Sequence, residues 1–412
     1  MLNQDLHVHL HGCLKAEDLW TIGKDNYKNQ AQQLDWYADE FSKHCGYKPD
    51  YQNYWRSENG LSLLKKDFEM LESGNFSQFQ AKFNLIIALC PLSFENFYVQ
   101  EKIIRQQAAS GLNLFEARTL IPFSFTSDQA YRYLKGLCQL VSNLNSELPM
   151  ETRLVFSLFR QNHLALKHYL WIKDFLFHHP VYTNLISGID FAYDEKGFPP
   201  SSKINLIQKI KQDNLKSKPL KILYHVGESF EDKGLLSATR WVFEAFLLGV
   251  DRLGHAIALG VDPENYQNIK VEEAHDEYFQ TLKFLFNNRN LLFEYGFTAD
   301  WQMLTEEKDF FSKNQSSKII SYTDNYKALC RDFQRVVGRI LKEKRAIIEC
   351  CPTSNKRLAQ IKYPKFHPIL FFAKNKISTV LGTDDPGVFC VTYESEYSYK
   401  KSLEELSFSF TA

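Results

Sequence analysis

The 412-residue sequence has few of the features that assign a chain to a specialised class at first sight. Its eight cysteines (Cys13, Cys45, Cys90, Cys138, Cys330, Cys350, Cys351 and Cys390) form no CxxC pair and no evenly spaced framework. That excludes a disulfide scaffold and implies a reducing compartment. It has no net charge: Lys and Arg number 49, as do Asp and Glu. No global basic field is therefore available to recruit nucleic acid or an anionic membrane, and any charged ligand must be held locally. No run approaches eighteen consecutive apolar residues, and the first residues lack a basic segment followed by an apolar stretch and a cleavage site. The expectation is a cytoplasmic protein with no membrane partner. Internal repeats and low-complexity tracts are also missing.

What is present is a core. Hydrophobic residues make up 44% of the chain, with 33 Phe and 21 Tyr. Short apolar, β-branched runs bounded by turn residues predict eight strands: 2–10, 112–120, 153–159, 185–193, 219–227, 250–256, 345–351 and 377–384. Several are apolar on both faces, as strands of a parallel sheet covered by helices should be. Eight such strands alternating with helical spacing predict an α/β fold, a (β/α)8 TIM barrel, in a single domain spanning 1–412. About a hundred residues separate the first two strands, too many for one crossover, so several helices are expected to cover one end of the barrel there. Within that excursion the stretch 26–60 has no clear assignment. A second excursion, about 262–335, lies between strands six and seven and reads as an inserted subdomain.

Polar and ionisable residues are placed where a purely structural barrel would carry Val, Ile or Leu. DLHVHLHGC (5–13) sets His7, His9 and His11 on one side of the first strand. At or near the ends of the others lie Glu116 and Arg118, Asp190, His225 with Glu228, His255, and Asp384 with Asp385. The C-terminal ends of barrel strands are where such folds build active sites. His7, His9, His225 and Asp384 offer three imidazoles and a carboxylate, a donor set suited to one Zn2+ with room for a water. Zinc there would make that water acidic enough to react near neutral pH. His255 then becomes a candidate base, Glu228 a candidate acid toward a ring nitrogen, and Asp385 a hydrogen-bonding partner for another ring nitrogen.

In their order, HVHLHG, HVGE, RLGHA, ECCPTSN (349–355) and TDDPGVF (383–389), with weaker matches in GIDFAYDE (188–195) and FHPI (366–369), resemble the adenosine deaminase family of zinc-dependent purine deaminases. The resemblance implies a (β/α)8 barrel, zinc on His7, His9, His225 and Asp384, Glu228 protonating purine N1, His255 activating water, and Asp385 at N7. It further implies attack of water at C6 and loss of ammonia from a purine nucleoside or 5′-nucleotide. The other zinc deaminase architecture, with its P-C-x-x-C signature, is absent.

Three departures from the family pattern stand out. His11 occupies the position of an aspartate that binds the sugar 5′-hydroxyl, and an imidazole accepts a 5′-phosphate better than a carboxylate does; this favours a phosphorylated substrate, with Lys15 or Arg118 as possible helpers. Tyr193 replaces a glycine whose N–H contacts N3. The excursion 262–335 is long and the tail after Asp385 short, so the last barrel helix is expected to be thin or completed by another subunit. Relatives with such insertions assemble into large complexes that deaminate nucleotides in defence against phage. The alternatives are therefore a structural or effector subunit of a homo-oligomer or larger assembly, with 262–335 as the interface, and another amidohydrolase-type hydrolysis. Against the latter, 185–193 carries no lysine for a two-metal site.

Overall fold

The computed structural model describes residues 3–161 and 164–409. All eight predicted strands form: β1 (Gln4–His9), β2 (Leu114–Leu120), β3 (Glu151–Phe159), β4 (Ile186–Ala192), β5 (Lys221–Val226), β6 (Arg252–His255), β9 (Ile347–Cys350) and β10 (Ser378–Leu381). Leu2, within the first predicted run, lies outside the described residues. The strands are parallel and ordered β1-β2-β3-β4-β5-β6-β9-β10. The last meets the first through a bridge between Val8 and Asp384, in which His9 N–H donates to the Asp384 carbonyl at 2.8 Å and Asp384 N–H donates to His7 at 2.9 Å. Eight parallel strands with helices between them thus form a nearly closed TIM barrel, as the both-face apolar runs require.

Most strands are shorter than their apolar runs, and the C-terminal ends of several are marked by a change of backbone conformation. After β4, β5 and β10, and at the end of β6, the chain turns into the left-handed region at Tyr193 (φ 77°), Gly227 (65°), Asp384 (62°) and His255 (60°). At Tyr193, Gly227 and His255 the extended backbone ends.

The excursion between β1 and β2 contains helices Ala16–Asn26, Ala31–Cys45, Gly60–Phe68, Phe76–Leu89 and Tyr98–Ala109. The unassigned stretch 26–60 supplies the second of these and a 3-10 turn, Tyr51–Tyr54. Its polar aromatics have a local purpose, since Tyr54 Oη donates to Asp67 at 2.6 Å and Tyr47 Oη reaches the same carboxylate. Between β6 and β9 the chain forms a separate antiparallel pair, β7 (Lys270–Glu273) and β8 (Lys318–Ser321), with helices His275–Asn287, Arg289–Glu294 and Trp301–Lys313. The helical spacing there was evident; the two four-residue strands were too short to register against it. After Asp385 the chain provides its own last helix, Tyr393–Ser409, packed on helices Pro352–Leu358 and Pro368–Lys374 and tied down where Thr353 N–H donates to Glu396 at 2.8 Å. The thin or externally completed helix expected from the short tail is thus not what forms. No helix among the described residues is long and apolar enough to cross a membrane.

Closure depends on a close backbone approach. A Cβ built on Gly382 would lie 2.4 Å from His7 Cβ and 2.5 Å from the His7 carbonyl oxygen, whereas one on Gly111 meets nothing within 4 Å. Gly382→Ala should therefore cost about 3 kcal/mol in urea unfolding. Gly111→Ala, which faces only its left-handed φ of 83°, should cost about 1 kcal/mol. Equal costs would mean that β10 does not need glycine to reach β1.

Candidate active site

The strand ends gather the predicted residues at one mouth of the barrel. A cavity of about 1000 Å³ is lined by His9, His11, Tyr193, His225, Glu228, Asp384 and Asp385 among others. His7 and His255 lie beneath it, both fully buried. The rings of His7 and His225, and of His7 and His255, stand edge to face with centroids 4.6 Å apart. Donor atoms of His7, His225, His255 and Asp384 all lie within 4.8 Å of one another, as do those of His9, Asp384 and Asp385. Asp384 is common to both groups: its Oδ1 is 3.6 Å from His7 Nε2 and 3.4 Å from His9 Nε2.

Each buried imidazole is oriented from behind. His7 Nδ1 donates to Glu349 at 2.8 Å, His225 Nδ1 lies 2.8 and 3.0 Å from the Asp190 oxygens, and His255 Nδ1 donates to Asn355 Oδ1 at 2.9 Å. With Nδ1 carrying the proton, Nε2 presents a lone pair, and the Nε2 atoms of His7, His225 and His255 have no hydrogen-bond partner although they are buried. Orphaned buried acceptors are costly; those of His7 and His225 converge beside Asp384 as ligands of a cation would, His9 reaches the same carboxylate from the second group, and His255 is left with a free nitrogen beside them. The spacings of 3.4 and 3.6 Å compare with about 3.3–3.4 Å between ligands of a tetrahedral zinc with bonds of 2.0–2.1 Å. The donor set therefore suits zinc.

Of the charged residues behind this layer, Glu349 escaped the sequence reading and Glu116 was misplaced by it. Glu349 and Asp190 share Arg118, whose Nη2 is 2.5 Å from Glu349 and whose Nε is 3.3 Å from Asp190. Arg118 is thus paired with two carboxylates while still lining the cavity, and Lys15 is exposed. Glu116 sits not at the C-terminal end of β2 but lower in the barrel, paired with Arg252 from the start of β6 and 3.9 Å from Lys221 at the start of β5. The available signal was a charged residue inside each apolar run; its depth could not be read without the barrel's stagger.

Glu195, in GIDFAYDE, also went unassigned. Its buried carboxylate accepts the N–H groups of Gly227, Glu228 and Ser229 at 2.9, 2.7 and 3.1 Å. Three successive amides converging on an anion make a nest, which fixes the turn that presents Glu228. Glu228 Oε1 lies 3.5 Å from His255 Nε2. Burial raises the Glu228 carboxyl, opposed by His255 and reinforced by Asp384. Burial likewise raises Asp385, opposed by His9 and reinforced by Asp384. Asp384 itself is held low despite burial by its hydrogen bond with His9 and the charge of His255. Adjacent carboxyls pushed in opposite directions can take opposite roles, one an anionic ligand and one a neutral donor.

At the rim, burial lowers His11 to about 4, and its Nε2 lies 3.4 Å from the Gln100 amide nitrogen. It offers hydrogen bonding rather than positive charge at neutral pH. Tyr193 is 43% exposed, and its ring packs on Phe159 at 5.0 Å, forming an aromatic wall with Phe123. Its backbone sits in the conformation that glycine adopts freely, so replacing a glycine there costs strain of about 1–2 kcal/mol.

Orientation by the carboxylates is testable. Glu349→Gln should lower zinc affinity by about 10–100-fold in chelator competition while leaving the barrel folded. Unchanged affinity would mean that His7 needs no partner at Nδ1.

No curated protein sequence matches this chain. Solved structures do. An adenine deaminase from Arthrobacter aurescens shares 15% identity with a TM-score of 0.55, covering 98% of this chain and 88% of that one. Arabidopsis ADAL complexed with GMP shares 14% identity with a TM-score of 0.57, covering 98% and 87%. An amidohydrolase from Burkholderia ambifaria with bound Zn shares 13% identity with a TM-score of 0.54, covering 98% and 80%. At such identity the likeness establishes the fold. The adenosine deaminase family model matches residues 330–409, which contain Glu349, Asn355, Asp384 and Asp385. The matched segment is thus similar to adenosine deaminase, and the solved structures share the fold of this chain.

Proposed function

We propose that this protein hydrolyses the 6-amino group of adenine in a purine nucleoside or 5′-nucleotide, releasing ammonia. The observation that carries the reading is the convergence of orphaned Nε2 atoms and Asp384 with Glu228 and Asp385 in one cavity. A Zn2+ held by His7, His9, His225 and Asp384 would supply the Lewis acidity that readies water for attack near neutral pH.

The remaining roles follow from protonation states. His255 keeps its Nδ1 proton on Asn355 and faces Glu228 with a free Nε2, the atom that accepts the proton of the attacking water. Purine N1 and N7 are both acceptors, so a group that binds either must bring a proton. Glu228, with its carboxyl raised by burial, donates to N1 and makes C6 more electrophilic. Asp385, raised in the same way, donates to N7. As water adds at C6 and the tetrahedral carbon collapses, ammonia is the leaving group and the keto purine the product.

Glu228→Gln should reduce ammonia release by about 100-fold or more while retaining bound zinc. In the wild type kcat should fall as pH rises through the elevated Glu228 range, because the acid is then ionised, and this alkaline limb should be missing in the variant's residual rate. Full activity in Glu228→Gln would remove the proposed acid.

Among the possible substrates, a phosphorylated nucleoside remains favoured over the free one on the ground that His11 removes a carboxylate from the position where a phosphate would be repelled. His11→Asp should lower the ratio of kcat/KM for AMP to that for adenosine by at least about tenfold. An unchanged ratio would separate His11 from the choice of substrate.

A further inference from the structure

The excursion between β6 and β9 has no part in the chemistry so far, yet it touches the loop that carries Glu228. That loop, 227–234, joins β5 to helix Leu235–Leu247. Its beginning is pinned by Glu195. Its end is pinned from the excursion: fully buried Glu273, the last residue of β7, accepts the Gly234 N–H at 2.8 Å and the Ser237 hydroxyl at 2.5 Å. Ser237 Oγ also lies 2.7 Å from Thr281 Oγ1, and Tyr326 Oη accepts the Leu236 N–H at 3.2 Å. Midway along the loop, Phe230 packs edge to face on Tyr266 with centroids 5.6 Å apart.

The approach is close enough to constrain residue type. A Cβ on Gly234 would lie 2.2 Å from Tyr326 Oη and 3.1–3.2 Å from Ile320 and Glu273 atoms, all from the excursion. The first backbone N–H groups of helix Leu235–Leu247 have no partner within the helix, and two of the donors at this start, those of Gly234 and Leu236, are bound by side chains some forty and ninety residues later in the chain. A catalytic acid on a loop of eight residues must be held within a fraction of an ångström of its productive position. Here both ends of the loop are fixed by carboxylates from other elements.

We infer that the excursion 262–335 is a brace for the Glu228 loop and that Glu273 is a positioning residue for the general acid. The inference rests on the deaminase reading for what the acid does, but the mechanical coupling is independent of it. The excursion holds no atom against the reacting centre; it acts through the backbone at 234–237.

Amide hydrogen exchange and steady-state kinetics on the zinc-loaded full chain test this. Glu273→Ala should speed exchange across 227–237 while helices Trp301–Lys313 and Asp324–Glu343 keep their protection. It should lower kcat at least tenfold and change KM less than twofold. Glu273→Gln should recover most of the rate, since its amide oxygen still accepts one donor and Ser237 can accept from its NH2. Tyr326→Phe, which deletes only the acceptor for Leu236, gives a milder version of the same pattern if Glu273→Ala fails to fold. A lower melting temperature with unchanged kcat per folded molecule, or faster exchange throughout the excursion but not at 227–237, would overturn the brace. If the wild type deaminates no purine, the deaminase reading fails and exchange alone still decides the coupling.

Discussion

Beneath the histidines, one guanidinium is shared by two carboxylates, and the geometry above depends on it. Arg118 binds Glu349 and Asp190, and those same carboxylates accept hydrogen bonds from the Nδ1–H groups of His7 and His225. Arg252 extends the network downward to Glu349, at 2.9 Å, and to Glu116. Burying such charges costs several kcal/mol per ion before pairing, so the network is not a source of net stability. What it provides is direction. A carboxylate fixed on one ring nitrogen dictates the tautomer, and the tautomer decides that the other nitrogen offers a lone pair to the cavity.

The second requirement is that side chains reach the mouth of the barrel from strands whose pleat would otherwise send alternate residues outward. Left-handed residues at Tyr193, Gly227, His255 and Asp384 end the strands and turn the chain over the mouth. For the three residues with side chains this is strain of about 1–2 kcal/mol each. Strain held at a site is tolerated when packing around it is over-determined. Glu195 on the amides at 227–229, Asn355 on His255 and the Val8–Asp384 bridge are the local contacts that do this.

The surroundings then give chemically similar groups different tasks. Asp384 and Asp385 are neighbours in sequence, yet the hydrogen bond with His9 lowers one carboxyl while burial beside that group raises the other. His9, His11 and His255 likewise divide into groups facing Asp384, the cavity rim and Glu228. A cluster of imidazoles and carboxyls with differently shifted pKa values is thereby packed into one cavity without any of them being a distinctive residue type.

The eight strands were evident from apolar runs bounded by turns, because burial on both faces of a parallel strand imposes that composition locally. So were His7, His9, His225, Glu228, His255 and the Asp384–Asp385 pair, since each is a polar residue within or directly after an apolar run. Other features depended on contacts far apart in the chain. The short pair β7–β8 has no local period long enough to detect. Glu116 read as a mouth residue until the stagger of the barrel set its depth. Glu195 and Glu273 act on backbone N–H groups, which every residue has, so nothing in the sequence marks their partners. The sequence by itself determined which residue types a barrel of this kind would place near its mouth, because periodicity and turn chemistry are local. Only the tertiary structure decided which nitrogen each histidine presents, which carboxyl burial raises and what holds the Glu228 loop, because those properties arise from buried charges and hydrogen bonds between residues far apart in the chain, such as His7 and Glu349 at 342 positions.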